Sequence, residues 1–374
     1  MTAQSNLSTK RIYSLDFLKV LATTFILFHH YQQDGKIRFL NHPNFYFNQK
    51  FEWGLMVELF FILSGFVMYH YCDGRLSKTS FSSFMGRRLM RLLPPMAAGA
   101  VVYFMLGYVY QQLYLKPFYF QESVNLWGTV VSALGLQSGW GLNGWHINNP
   151  TWYVSVLLLC YCWFFVITKL SQKHRFPLAY AYLLMLLVSF AGLRLPVMEG
   201  LEFPLFGIDA VRGYKAFFFG LLLAMFYHHF TLNRWLISLC IAVMGVVVVF
   251  MVFAHGYTDY RMTFTYLFCP ALILVMHTRP VQKLFGSACW NRLSAISYHV
   301  YIWHTVLQLL LYTINTPLWT SDQPIFMYLF ALLAWGVGTL SWLFFEGPVH
   351  RKLPRILHAV FEKRADDNMV SADE

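Results

Sequence analysis

The sequence predicts an all-α, polytopic integral membrane protein with about ten transmembrane helices and both termini in the cytosol. Three observations predict it. Of the 374 residues, 57% are apolar and only 12% are charged, whereas a soluble domain carries about a quarter charged residues. Apolar stretches of membrane-spanning length recur from end to end, and no polar block is long enough to form a separate soluble domain. Lys and Arg are dense in alternate connecting segments, as the positive-inside rule requires.

In chain order the spans are expected at about 12–33, 53–72, 92–112, 150–168, 177–196, 213–230, 236–254, 262–277, 293–314 and 324–345. With the amino terminus inside, twenty of the 28 Lys and Arg residues fall on the cytosolic side. The formal charge of +11 is therefore a topology signal, and nucleic acid is not an expected partner. Residues 1–350 read as one membrane domain and 351–374 as a basic, then acidic, cytosolic tail. Lys10 and Arg11 precede an apolar run as in a signal peptide, but no small-residue cleavage site follows, so the first helix is expected to stay uncleaved. The six cysteines show neither disulfide nor metal-ligand spacing, and no metal is expected.

Polar groups inside the apolar helices carry the functional reading, because each charge there costs about 2.5–3.5 kcal/mol on insertion scales. In the first span, "LDFLKVLATTFILFHHY" (15–31), a helix turns about 100° per residue. Lys19 and His30 then lie about 20° apart, and Asp16 about 40° from His30, while His29 is about 80° from Lys19. Asp16, Lys19 and His30 form one polar stripe running roughly 16 Å between lysine and histidine. The stripe reads as one wall of a water-accessible path. His29 is assigned to packing or capping at the outer interface, and a snorkelling Lys19 with interfacial histidines is the plainer alternative.

The second span, "WGLMVELFFILSGFVMYHY" (53–71), sets Glu58 among apolar residues, and Ser64-Gly65 permits close helix approach. Glu58 is either salt-bridged or the partner of an imidazole in an acid/base pair. The third span is entered through "FMGRRLMRLLPP" (84–95), where Arg88 and Arg91 share a helical face. They suit positive-inside anchoring and phosphate oxygens equally. The outer loop "LQSGWGLNGWHINNPTWY" (136–153) suits a sugar or an interfacial aromatic belt. Arg212 and Lys215 recur at i,i+3, and His299 and His304 sit in an aromatic helix where structural hydrogen bonding is expected.

These residues, in this order, resemble the membrane-bound acyltransferase-3 family, bacterial O-acyltransferases of cell-surface glycans. "LDFLKVLATTFILFHH", "VELFFILSGF", "RRLMRLLPP" (through Arg88, Arg91 and Pro94), "PTWYVSVLLLCYCWF", "SYHVYIWH" and "FFEGP" match the family's motifs across residues 15–348. Two positions depart from it: Lys19 replaces the usual arginine, and Leu157 stands where many members carry Glu. The family's extracellular hydrolase-like extension is not expected here, so the membrane domain would act alone or with a partner.

The resemblance implies transfer of an acetyl group from cytosolic acetyl-CoA to a hydroxyl of a cell-surface or lipid-linked carbohydrate, in the cell inner membrane. It implies His30 as general base with Glu58 holding its tautomer, and Lys19, Arg88 and Arg91 along the acyl-CoA path. Asp16, His29, Ser64, Trp152, Ser155, Tyr298 and His304 are its expected supporting positions. Direct transfer and an acetyl-histidine intermediate both fit, and the oligomeric state is open, a homodimer included. On architecture alone the competing reading is a transporter or flippase of a glycan or lipid-linked sugar, which no inverted repeat supports.

Overall fold

All ten predicted segments are helical, and what the polar residues do to them shapes the rest of the molecule. The structure is a computed structural model that describes residues 11–38, 52–72, 76, 79–118, 124–142, 147–192, 204–254, 256–319 and 325–346. No strand occurs among the described residues. The longer helices are α1 (Tyr13–Arg38), α2 (Met56–Cys72), α3 (Phe81–Tyr114), α4 (Leu126–Ala133), α5 (Trp152–His174), α6 (Leu178–Gly192) and α7 (Ile208–His229). They continue with α8 (Arg234–Phe253), α9 (Tyr257–Thr263), α10 (Cys269–Val275), α11 (Arg279–Phe285), α12 (Cys289–Trp319) and α13 (Ile325–Glu346). The 351–374 tail, Pro348 and parts of the predicted outer loops 34–52 and 113–149 lie outside the described residues.

By length and composition six helices can cross a membrane, and a seventh if Thr258–Val275 and Arg279–Phe285, bent by 81°, count as one span. The other three predicted spans fall short for identifiable reasons. Helix α6 has only 15 residues. Helices α1 and α12 are diluted by polar residues, among them Asp16, Lys19, His29 and His30 in the first and Ser297, His299, His304 and Gln308 in the second. The third predicted span begins earlier than its apolar run, at Phe81, where the Ser80 hydroxyl accepts from the Ser83 N–H. It continues through Pro94 and Pro95, which deprive the Met90 and Arg91 carbonyls of their helical donors.

Apolar side chains cover the outside of the molecule, and several charged ones lie inside among its apolar core. Helix α8 exposes Leu239, Val246, Val249 and Phe253, whereas Asp16, Glu58, Lys215 and His304 are buried. Water would reverse that distribution; lipid accounts for it.

Two helix pairs position the site. Helices α2 and α7 run in the same direction, since Glu58 meets Arg212, Gly65 meets Phe217 and His70 meets His228. Helices α1 and α12 are likewise parallel, with His30 beside His304 and Tyr31 hydrogen-bonded to the Trp319 carbonyl. The small pair Ser64-Gly65 does permit close approach. A Cβ at Gly65 would sit 2.0 Å from the Phe217 carbonyl oxygen, and one at Gly220 would sit 2.1 Å from that of Ile62. These neighbours are backbone and cannot move aside singly. Gly65→Val is therefore expected to force α2 from α7 and cost at least about 3 kcal/mol, the upper range of overpacking. The monodisperse peak in detergent size-exclusion should be lost, while Gly245→Val, with nothing within 4 Å, should keep it.

Candidate active site

One face of α1 presents Lys19, Thr23, Ile26 and His30, the i, i+4, i+7, i+11 spacing of a single helical stripe. This is the stripe expected from helical phase, and each of its residues lines a cavity. Lys19 and Thr23 line a basic cavity of about 190 Å³ with Ser64, Arg91, Tyr153 and Tyr298. Ile26 and His30 line a second cavity of about 330 Å³ with His29, Glu52, Trp152, Arg212 and Arg261. Tyr301 lines both and is the partition between them. Its hydroxyl donates to the Pro150 carbonyl, in the short 3-10 turn Asn149–Thr151 that leads into α5.

The basic cavity opens beside a third, of about 180 Å³, with which it shares Arg11, Lys19 and Arg91. Asp16 is 2% exposed and holds two of these cations in place. It accepts from Arg11 Nε at 2.7 Å and from Lys19 Nζ at 3.4 Å. Arg91 lies 3.7 Å from Glu346, the acidic residue of the "FFEGP" motif. Tyr298 donates to the Leu92 carbonyl at 2.6 Å, fastening α12 to α3 immediately before the double proline. Ser64 and Tyr153 share a hydroxyl–hydroxyl hydrogen bond of 3.3 Å on the cavity wall. Three cations with two carboxylates leave this mouth positive, a fit for an anionic ligand.

Arg88 departs from its expected place beside Arg91. Its guanidinium stacks 3.6 Å over Phe84 and 5.1 Å from the Tyr161 ring. It donates to the Phe84 carbonyl at 2.7 Å and contacts Met68 sulfur at 3.1 Å. The i,i+3 spacing shares a face, but the aromatic surfaces of α3 and α5 turn this side chain away from Lys19.

The histidine cavity is built on α1, α2, α5, α7, α9 and α12 and the 3-10 turns Trp53–Leu55 and Asn149–Thr151. His29 Nδ1 lies 2.8 Å from Glu52 Oε1, and its ring meets the His30 ring at 5.0 Å. His30 also packs against His304, with ring centroids 4.9 Å apart. His304 is fully buried, and its Nδ1 lies 2.7 Å from the Tyr301 carbonyl. A carbonyl only accepts, so that nitrogen carries the proton and Nε2 keeps its lone pair. Nε2 has no hydrogen-bond partner among the described residues. Both first-helix histidines therefore face the cavity, and His29 does more than cap an interface: it anchors the 3-10 turn Trp53–Leu55 through Glu52.

Glu58 has a different partner from the one expected. Arg212 grips it in a fork, Nε to Oε1 at 2.7 Å and the second nitrogen to Oε2 at 2.9 Å. Arg261 adds a 3.3 Å bond to Oε1. Both carboxylate oxygens are committed to guanidinium groups, the salt-bridged alternative for a lone intramembrane acid. Trp152 lies under Arg212, ring to guanidinium 5.1 Å. Ser155 faces neither cavity; its hydroxyl accepts from the Gln137 N–H at 3.1 Å, and its carbonyl accepts from Trp140. Gln137 in turn holds Asn149 and Thr151, at 3.0 and 2.9 Å. Asn148, with φ of 56°, donates to the Ile302 carbonyl at 3.0 Å and accepts from Thr305. The outer loop is thus pinned to α12 through side chains, and the pin places Pro150 over Tyr301.

Comparison with known proteins bears on this arrangement. The sequence profile of a family described as an acyltransferase domain, acyltransferase-3, matches residues 12–345. The chain belongs to the acyltransferase-3 family. No curated protein and no solved structure matches the chain. Membership makes this a multi-pass membrane acyltransferase, and most of the motif segments contribute residues to the two cavities, Arg88, Pro94 and Glu346 being outside their linings. The family's departures also acquire places: Lys19 stands at the junction of the two basic cavities, and Leu157 lines the basic cavity, leaving that wall apolar. Tyr153, Tyr301, Glu52 and Arg261 were not singled out by spacing. Tyr301 has a sequence signal in the "SYHVYIWH" motif, whereas Glu52 and Arg261 are joined to the site only by the fold.

Proposed function

We propose that the protein transfers an acetyl group from cytosolic acetyl-CoA to a carbohydrate hydroxyl on the far side of the inner membrane, with His30 as general base. One observation carries the reading: a single α1 stripe runs from a basic mouth to a histidine cavity, with Tyr301 between them. The nucleotide phosphates of the donor fit beside Arg11, Lys19 and Arg91, and the acyl chain reaches toward Tyr301. Neutral His30 takes the proton of the acceptor hydroxyl as its oxygen attacks the thioester carbonyl. The C–S bond then breaks, and the CoA thiolate recovers the proton from the imidazolium. Glu58 acts through Arg212 and Arg261 rather than on the imidazole, and His304 buttresses the His30 ring.

Helix direction supports ten spans. For α2 and α7 to be parallel, an odd number of crossings must separate them, so α6 crosses along with α3 and α5. Helix α8 is long and apolar enough to cross, so for α1 and α12 to be parallel the broken Thr258–Val275 segment must cross too. The excess of Lys and Arg then sets both termini in the cytosol.

The test compares surface glycans of cells with and without the gene by mass spectrometry and NMR. Acetyl groups should disappear with the gene and return with the wild-type copy. An unchanged acetyl population, or sugar that moves across the membrane unmodified, rejects the reading.

A further inference from the structure

We infer that the histidine cavity binds an oxyanion carried by the acceptor, so that the sugar acylated is an acidic one held through Arg261. The inference deepens the proposed function, because it rests on this cavity being the acceptor site.

Arg212 and Lys215 on α7 and Arg261 on α9 converge on Glu58 of α2. Lys215 is 4% exposed, lies 5.3 Å from the Phe190 ring, and is within electrostatic range of Glu58, Arg212 and Arg261. Three cations thus gather around one carboxylate inside an apolar shell. Among the described residues the neighbouring acids are engaged or turned outward: Glu52 holds His29 at 2.8 Å, Asp209 accepts from Ser138 at 3.0 Å, and Asp259 is exposed. Excess buried positive charge is costly in a low-dielectric setting unless an anion answers it.

Geometry says where that anion sits. Arg212 spends its fork on Glu58. Arg261 does not: its one hydrogen bond among the described residues is the 3.3 Å bond to Glu58, and its side chain is 37% exposed. A guanidinium has five N–H donors in a planar fork, so the remaining donors face the cavity that Arg261 lines. That fork matches carboxylate and phosphate oxygens in a bidentate manner. Arg261 also lies in the last turn of α9, which runs into the π turn Phe264–Phe268, where the Cys269 N–H bonds to the Phe264 carbonyl. Pro270 lacks the donor that the Tyr266 carbonyl would use in a regular helix, and such turns often mark functional sites. The cavity, of about 330 Å³, holds His30 and Trp152 as well. A sugar there can place a hydroxyl at His30 and its oxyanion at Arg261.

The test uses the full-length protein in lipid nanodiscs at fixed ionic strength, with binding read from tryptophan fluorescence and thermal shift. The probes are methyl glucuronide, glucose 6-phosphate, methyl glucoside and inorganic phosphate. At least one acidic sugar should bind about ten-fold or more tighter than methyl glucoside. Inorganic phosphate should compete with it, and the stronger acidic sugar tells a carboxylate source from a phosphate source. In Arg261→Gln the preference should shrink to roughly two-fold or less, with Arg261→Lys between the two. Equal binding of neutral and acidic sugars by the wild type overturns the inference without any variant, as does a preference that survives in Arg261→Gln. Acetyl transfer is assayed separately. Acid preference without transfer removes the acyltransferase reading and keeps the anion site; transfer without preference does the reverse.

Discussion

His30→Ala should lower acetyl transfer by about 10²–10⁴-fold, the usual contribution of a positioned general base. The protein should still reach the membrane, since the lost ring faces a cavity. His29→Ala is the discriminating comparison, because the two rings are 5.0 Å apart and line the same cavity. His29 is committed to Glu52, so its loss should loosen the Trp53–Leu55 turn and raise the acceptor KM more than it lowers kcat. His304→Ala removes the ring against which His30 packs and should lower kcat with the acetyl-CoA KM unchanged. Purified variants assayed at saturating acetyl-CoA separate these outcomes. Full activity in His30→Ala, or complete loss confined to His29→Ala, would move the base to the other histidine. Retention of labelled acetyl on protein incubated with donor alone, lost in His30→Ala, would replace direct transfer by an acetyl-histidine intermediate.

Local patterning reached much of this site because α1 is a regular helix. The 100° rotation per residue carried Lys19 and His30 onto one stripe, and the stripe is where both cavities lie. The apolar runs likewise marked the long helices, though not the short α4 and α11, and Ser64-Gly65 marked a close helix approach, which the fold makes with α7. Pairing between helices was not legible in the same way. Glu58 reads from the sequence as either salt-bridged or an imidazole's partner; the fold pairs it with Arg212, 154 residues away on a helix parallel to its own. Nothing in the spacing of Arg88 and Arg91 distinguishes them, yet Phe84 and Tyr161 capture one and Glu346 the other. Arg261 belongs to none of the motifs, and α9 alone carries it to the cavity wall. By length and composition six or seven helices can cross a membrane; α1 and α12 fall short because they carry polar groups, and α6 because it has only 15 residues.

The Glu58–Arg212 pair should show that those polar groups cost stability. Glu58 is 3% exposed, and removing its fork leaves a buried charge without its partner. Arg212→Leu and Glu58→Leu are each expected to cost about 3–5 kcal/mol, the penalty for breaking a buried ion pair. Against a total stability of about 5–15 kcal/mol, either loss is large and should appear as aggregation in detergent size-exclusion and a sharp fall in Tm. The double variant Glu58→Leu/Arg212→Leu buries neither charge and should regain part of the lost stability, because well-packed apolar replacements of buried pairs are often neutral. Recovery should be incomplete, since Arg261 and Lys215 then lack the carboxylate they face. Acetyl transfer should stay absent in the refolded double variant, because the cavity has lost the charge pattern that seats the acceptor. A double variant as unstable as the worse single one would mean that the pair stabilises the fold outright. Recovery of fold without activity would mean that α2 and α7 hold these charges for the acceptor, at a cost the close glycine packing between them offsets.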